Sequence, residues 1–142
     1  MNSGGNKALV TRFYDEMWNR WREETAREIL HPDVRFRGSL GLETRGHDGF
    51  LGYMATIRRA FPDFHNRIDE LVAEGDRVVA RLTYTGTHEG HLFDVAPTSR
   101  RVSYAGAAFF AIEGARIRSV WVLGDLMDLM RQIGAVGEDR RG

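Results

Sequence analysis

A carboxylate near the end of the chain is the residue best placed to do acid–base chemistry. Asp125 ends a stretch rich in β-branched and aromatic residues, 116–125, which is typical of a β-strand. Side chains alternate between the two faces of a strand, so Trp121, Leu123 and Asp125 are expected on one face. Burial beside apolar groups would raise the pKa of Asp125 toward that of a base able to remove a proton next to a carbonyl. Alternatively, Asp125 caps the helix predicted over residues 126–133.

Composition limits the classes of function. The chain has 142 residues, enough for one domain and one core, and we treat residues 1–142 as a single domain. Lys plus Arg equals Asp plus Glu at 20 each, which argues against a nucleic-acid partner, and no apolar run has the length of a membrane span. Without cysteine and without the apolar core of a signal peptide, the chain is expected to be cytoplasmic. Residues 1–5 and 135–142 are small, polar or charged and are expected to be flexible.

Hydrophobic periodicity predicts an α+β protein. Apolar residues at three- and four-residue spacing predict helices over residues 6–19, 23–30 and 47–61. A short strand over residues 34–37 and a loop or weak hairpin over residues 38–46 separate the second and third helices. The period then changes to two and predicts strands over residues 64–73, 77–87, 100–112 and 116–125. Three helices packed on one face of a strongly curved, mainly antiparallel sheet would form a cone that encloses a pocket.

Large side chains on the predicted inner faces could line that pocket. The candidates share an aromatic ring or a flexible apolar chain: Tyr14, Trp18, Phe36, Tyr53, Met54, Trp121 and Leu123. Each of them could equally belong to the core, which is the commoner place for such residues. Tyr14 adds a hydroxyl that could donate a hydrogen bond to a developing enolate oxygen.

Two histidines raise the question of a metal. His88 and His91 are three residues apart, a spacing that places them on opposite faces of a strand. A zinc site usually takes three protein ligands, and no third candidate lies nearby in the sequence. We therefore expect no metal, and we assign His88 to the mouth of the pocket or to hydrogen bonds within its loop.

Several motifs together resemble the SnoaL-like polyketide cyclases. Residues 6–19 look like the opening helix of that family, and Phe61-Pro62-Asp63 is similar to its marker before the first long strand. The hairpin segment 73–78 and the Gly-Thr-His-x-Gly segment that begins at Gly86 are similar too. The closing signature is matched at Trp121, Asp125, Gln132 and Gly134, so the resemblance covers residues 6–134.

This resemblance implies a nuclear-transport-factor-2-like cone, a homodimer packed through the sheet and no cofactor. It also implies that Asp125 is the acid and base of an intramolecular aldol closure. The sequence departs from the family at Ser99, where a Gly is usual, and at Ala111, where many relatives have Arg or His. Gly38 and Ala108 stand where ketosteroid isomerase places two of its carboxylates, which disfavours isomerase activity.

Our hypothesis from the sequence is a cofactor-independent cyclase for a small, apolar or aromatic keto ligand. Asp125 would act as base and acid, Tyr14 or His88 would assist, and the apolar candidates named above would form the wall. A non-catalytic ligand-binding or dimerisation module of the same fold is the alternative, as is a related isomerase, dehydratase or hydroxylase reaction in the same pocket. A measured pKa of Asp125 would separate an enzyme from a module.

Overall fold

Four α-helices and six strands make up the part of the chain that the structure, a computed structural model, describes, residues 3–135. The helices are α1 (Ser3–Arg12), α2 (Glu24–Ile29), α3 (Gly46–Ala60) and α4 (Leu126–Gln132). The strands are β1 (Leu30–Arg37), β2 (Glu43–Arg45), β3 (His65–Glu74), β4 (Arg77–Thr87), β5 (Arg101–Glu113) and β6 (Arg116–Gly124). This confirms the predicted α+β class and nearly every predicted element.

The strands form one curved sheet in the order β2-β1-β6-β5-β4-β3. Neighbouring strands are antiparallel except β1 and β6, which run parallel and are separated in the chain by α3 and four strands. The core lies between the sheet and the helices. Phe13 packs edge-on against Phe110 of β5 and also contacts Phe50 of α3. Aromatic rings from the first helical segment, the sheet and α3 therefore meet in the core.

The structure corrects the predictions at several boundaries. Helix α1 begins at Ser3, three residues before the predicted start at residue 6. The second half of the first predicted helix, Phe13–Trp18, is a π-helix, which a hydrophobic period cannot distinguish from an α-helix. Strand β1 begins at Leu30 rather than Val34, and its register with β6 shifts between Leu30 and Arg35. That shift leaves Pro32, which has no amide hydrogen to donate, outside the paired positions.

Two further expectations concern the ends of the chain and the membrane. The segment expected to be flexible at the carboxyl end, apart from Ala135, lies outside the described residues. Among residues 3–135, no helix has the length and apolar character that a bilayer crossing requires.

A close backbone contact joins the loop after β4 to the end of α3. The amide of Gly90 donates to the carbonyl oxygen of Ala60 at 3.1 Å, and a side chain at Gly90 would overlap the carbonyl oxygen of Arg59.

We predict that Gly90→Ala lowers the free energy of unfolding by about 1–3 kcal/mol, because a backbone atom must move. Gly52→Ala is the matched control, since a Cβ there meets no atom within 4 Å. It should raise stability by about 0.5–1 kcal/mol in the same denaturant titration.

Candidate functional site

An apolar cavity lies between the helices and the concave face of the sheet. Its volume is about 30 Å³, room for about two water molecules. The walls are mostly apolar and come from the π-helix, β1, α3, the start of β3 and β6: Phe13, Trp18, Phe36, Ile57, Phe64 and Val122. Trp18 and Phe36 were predicted to form part of a pocket wall, and both lie there.

The polar groups of the cavity are uncharged. They come from Tyr14, Ser39, Tyr53, Asn66 and Tyr84. None of the lining residues, all within the described part of the chain, is an acid, a histidine or a basic residue. The cavity can therefore offer hydrogen bonds to a ligand but cannot itself supply a carboxylate or imidazole base.

A polar row crosses the inner face of the sheet at this point. Asn66 on β3 is paired with Tyr84 on β4, and Tyr84 is paired with Tyr104 on β5. The side chain of Asn19 accepts a hydrogen bond from the amide of Asn66 at 2.8 Å and donates to its carbonyl oxygen at 2.9 Å. The first helical segment thus holds the start of β3, and the Asn66 side chain is directed at the cavity. The stacked ring of Phe64, 5.7 Å from that of Tyr84, supports this row from one side.

Two glycines make space for the tyrosines that fill the cone. A Cβ at Gly38 would overlap the ring of Tyr53, and a Cβ at Gly106 would overlap the ring of Tyr84. The ring of Tyr84 therefore lies directly on the backbone of β5, and the ring of Tyr53 lies on the residue that follows β1. This close approach explains the small cavity: side chains of the protein occupy most of the space that a ligand would need.

Burial keeps the phenols of the cone protonated. Tyr14, Tyr53, Tyr84 and Tyr104 are each at most 5% exposed, and they are all the tyrosines of the chain. Desolvation is the largest effect on each of them and raises its pKa above the ordinary value. No hydrogen bond joins the hydroxyl of Tyr14 or Tyr84 to another described residue, so both can donate to a ligand.

Asp125 lies outside this cavity, and the predicted placement in a dry pocket is wrong. Its side chain is exposed and its Oδ1 accepts a hydrogen bond from the amide of Asp128 at 3.1 Å. It is the N-cap of α4, the alternative interpretation of the sequence. A cap satisfies an amide at the helix start that has no partner within the helix, and this explains an aspartate at that position.

Trp121 and Leu123 share the outer face with Asp125. They are 46% and 53% exposed, whereas the alternating residues Val120 and Val122 are buried. The side chains of β6 alternate as predicted, but the face directed at the cavity carries Val120 and Val122 and not Trp121 and Leu123. The prediction that Trp121 and Leu123 line the pocket is therefore wrong, because bulk and aromatic character do not tell which face of a strand meets the helices.

His88 and Met54 also lie away from the cavity lining. Met54 is 2% exposed and belongs to the core. His88 is fully buried, and its Nδ1 accepts a hydrogen bond from the amide of Thr98 at 3.3 Å and lies 2.9 Å from the Thr98 hydroxyl. Desolvation lowers the pKa of His88. The neutral ring holds the loop between β4 and β5, which was one of its two predicted roles. His91 is exposed.

The same loop contains a departure from the family pattern. Ser99, which stands where a glycine is usual, has a φ of 59°, a left-handed conformation that favours glycine. Its amide donates to the carbonyl oxygen of His88 at 2.8 Å and its hydroxyl to Glu89 at 3.1 Å. These two hydrogen bonds offset part of the backbone strain.

Some lining residues were missed by the sequence analysis although a signal was present. Tyr84 lies on the buried side of the alternating strand β4, together with Leu82 and Ala80, and Val122 lies on the buried side of β6. Ser39 and Asn66 had no such signal. A polar residue in a loop or at the start of a strand becomes part of a site through contacts distant in sequence, here between Asn66 and Asn19.

Known proteins resemble the chain in both sequence and structure. A family model described as SnoaL-like polyketide cyclase matches residues 8–133. Nogalonic acid methyl ester cyclase from Streptomyces nogalater is 30% identical over 129 residues, which cover 88% of this chain and 95% of that protein. The solved structure of TsrD from Streptomyces laurentii has a TM-score of 0.84 and 27% identity, with 96% of this chain and 99% of that chain covered.

A second solved structure supports the fold. The SnoaL-like protein from Jannaschia Sp. CCS1 has a TM-score of 0.86 at 23% identity, and the match covers 95% of each chain. These two structures confirm the cone that the sequence resemblance implied.

The cap at Asp125 leads to a stability prediction. Asp125→Ala should lower the free energy of unfolding by about 1 kcal/mol, because it removes the acceptor for the Asp128 amide. Asp125→Asn should leave stability nearly unchanged, since asparagine caps helices as well as aspartate does. Chemical denaturation of both variants measures this. Equal losses for the two substitutions would show that the cap contributes nothing and that the charge is what matters.

The buried phenols lead to a pH prediction. Tyrosines of the unfolded chain ionise near pH 10, whereas the raised pKa of the buried phenols keeps them protonated in the folded chain. Above about pH 10 the unfolded state binds fewer protons than the folded state, so stability should fall as pH rises. Phenolate absorbance should therefore appear together with loss of circular dichroism in an alkaline titration. Phenolate formation in a chain that is still folded would contradict this assignment.

Proposed function

Since the chain belongs to the SnoaL-like polyketide cyclase family, we propose that it catalyses a cofactor-independent intramolecular aldol closure of a small, mostly apolar keto substrate. One observation carries the proposal. An otherwise apolar cavity is lined by uncharged hydrogen-bond donors. These are the hydroxyls of Tyr14 and Tyr84 and the side-chain amide of Asn66. Such a site suits a carbonyl oxygen that becomes negatively charged during the reaction.

The donors would act on the enolate. Removal of a proton next to the ketone moves charge onto its oxygen, and the resulting carbon nucleophile then attacks a second carbonyl of the same molecule. Tyr14 and Tyr84 would donate to the oxygen that carries the charge, and their raised pKa keeps both hydrogens in place at neutral pH. Protonation of the new alkoxide completes the ring closure. No cofactor takes part in these steps.

Substrate binding would require the rings in the cone to move. A cavity of about 30 Å³ does not hold a keto substrate of several carbon units. Tyr53 is the side chain proposed to shift, because its hydroxyl is held only by the loop after β1, through the amide of Leu40 at 3.4 Å and through Ser39. We propose that the substrate displaces this ring from its place against Gly38, while Tyr14 and Tyr84 keep their positions.

The proposal also concerns the base that removes the proton. The family resemblance assigns proton transfer to Asp125, and this role stays a prediction. Because the carboxylate is exposed and holds the Asp128 amide, it could reach a substrate only if the first turn of α4 opened or if the reacting carbon lay at the rim of the cone. Ser39 lines the cavity and lies against Gly124, the residue before Asp125, so this end of β6 is close to the rim.

A ligand-binding module without catalysis is the second candidate. The observation that favours it is the absence of an acid, a base or a histidine among the residues that line the cavity, all of which lie in the described part of the chain. Such a module would bind the same apolar keto compounds through the same phenols. Turnover, rather than affinity, separates the two functions.

The remaining expectations from the resemblance stay proposals. We propose a homodimer packed through the sheet, whose outer face carries Phe109, Trp121 and Leu123, each about half exposed. The ring centroids of Phe109 and Trp121 are 5.8 Å apart, so together they form one apolar surface. We also propose that the chain has no nucleic-acid partner and that it is located in the cytoplasm.

A kinetic comparison tests the proposal. Nogalonic acid methyl ester, the compound in the name of the Streptomyces nogalater relative, is the first substrate to try. Tyr14→Phe and Tyr84→Phe should each lower kcat about 100-fold, because each removes a donor to the enolate oxygen. Tyr104→Phe removes a buried phenol that does not line the cavity, and it should change kcat less than threefold, a difference of roughly 0.6 kcal/mol.

Asp125→Asn resolves the base. Because asparagine keeps the cap, a large loss of kcat with unchanged stability would assign proton transfer to Asp125. Full activity of this variant would remove Asp125 from the mechanism and leave the phenols in place. Binding of substrates by the unaltered chain without any turnover would overturn the cyclase and favour the module.

A further inference from the structure

One side chain of the cavity carries an oxygen that can only accept a hydrogen bond. Asn66 is 3% exposed and lines the cavity near the start of β3. The other polar side chains of the lining carry hydroxyl groups: Tyr14, Ser39, Tyr53 and Tyr84. A hydroxyl either donates or accepts, so it adapts to whatever a ligand presents. The carboxamide oxygen of Asn66, Oδ1, requires a hydrogen and is therefore the more selective group.

The orientation of the Asn66 carboxamide follows from the contacts of Asn19. The backbone amide of Asn66 donates to Oδ1 of Asn19 at 2.8 Å, and Nδ2 of Asn19 donates to the backbone carbonyl oxygen of Asn66 at 2.9 Å. These two bonds fix which end of the Asn19 side chain is the oxygen. The same Oδ1 of Asn19 lies 3.5 Å from Nδ2 of Asn66. Since one carboxamide oxygen would repel another, Nδ2 of Asn66 is held toward Asn19 and its Oδ1 lies on the other side.

Oδ1 of Asn66 has no hydrogen-bond partner among the residues that the structure describes. Leaving a buried acceptor unpaired is unfavourable. Water can supply the hydrogen in the free protein, because the cavity has room for about two water molecules. A ligand that displaces this water has to bring a donor of its own.

We propose that Asn66 determines specificity by accepting a hydrogen bond from a hydroxyl group of the substrate. This inference rests on the proposed function and narrows its substrates to keto compounds that also carry a neutral phenol or enol. Tyr14 and Tyr84 would donate to the carbonyl oxygen, while Asn66 binds the hydroxyl elsewhere on the same molecule. A methyl ether at that position has no hydrogen to donate, so it would leave Oδ1 unpaired and should bind more weakly.

A role of Asn66 in binding can be separated from a role in stability. The two short hydrogen bonds from Asn19 are made to the backbone of Asn66, so they survive replacement of the Asn66 side chain. Asn66→Leu therefore keeps the contact between the first helical segment and β3 and removes the carboxamide from the cavity. A purely structural role would change thermal unfolding without changing the relative affinity of two similar ligands.

An NMR titration of the full chain with hydroxylated 1-tetralones tests this specificity. The 5-, 6- and 7-hydroxy isomers place the hydroxyl at different distances from the ketone, and at about pH 6 their phenols are neutral. We expect at least one isomer to bind about tenfold more tightly than 1-tetralone and than its own methyl ether. Asn66→Leu should reduce this preference to less than about twofold, by weakening the binding of the hydroxy compound.

Asn6→Ala is the control at a second buried carboxamide. Asn6 is 1% exposed, its Nδ2 donates to the carbonyl oxygen of Gly75 at 3.0 Å, and it does not line the cavity. Its variant should keep the full preference for the hydroxy isomer even where thermal unfolding shows a loss of stability. Should Asn66→Leu not fold, Asn66→Ala takes its place with the same expected result.

The outcomes distinguish this inference from the proposed function. If 1-tetralone binds as tightly as every hydroxy isomer, or if Asn66→Leu keeps the preference, the inference is overturned and the cyclase is unaffected. If the hydroxy isomer is preferred but the chain turns over no keto substrate, the inference stands and the cyclase is overturned. Binding of none of these ketones by the unaltered chain would overturn the inference together with the use of the cavity as a ligand site.

Discussion

The alternation of side chains along β6 is the constraint on which the site depends. Because successive residues of a strand point to opposite faces, Val120 and Val122 enter the core while Trp121 and Leu123 face outward. A shift of one residue in the pairing with β5 would exchange these two sets. The pairing of Phe109 with Trp121 and of Ala108 with Val122 places small and branched residues inside and large rings outside. The cavity and the exposed apolar outer face of the sheet are the two sides of this one arrangement.

The shape of the cavity follows from a match between small and large residues. Gly38 and Gly106 have no side chain to keep the rings of Tyr53 and Tyr84 away from the sheet. The rings therefore fill the concave face, and their hydroxyl groups, rather than ionised groups, become the polar part of the cavity. Burial favours the neutral phenol for the same reason that it disfavours any charge in an apolar interior. The chemistry of the cone is thus one of hydrogen-bond donation, and the ionisable side chains remain outside it.

The charged residues are distributed with a similar regularity. Several arginines of the sheet lie beside an acid, as Arg81 does beside Glu70. Arg35 and Arg45, at the edge made by β1 and β2, instead lie opposite each other. The net charge of the chain is zero, so composition alone does not reveal such a local excess. It becomes visible only when the pairing of the strands is known.

The sequence by itself determined the order of the elements, their approximate bounds, the family and the alternation along each strand. These are local properties, since hydrophobic period, turn residues and motif spacing depend on residues near one another in the chain. Tyr14, Trp18, Phe36 and Tyr53, which it proposed as wall residues, lie around the cavity, because the helix and β1 stripes that carry them have a single apolar side. Only the tertiary structure decided which face of β6 meets the helices, because both of its faces carry apolar residues. The same is true of Asn66 and Arg45, whose surroundings come from segments distant in sequence, and of Asp125, whose carboxylate holds the first turn of α4 instead of entering the cone.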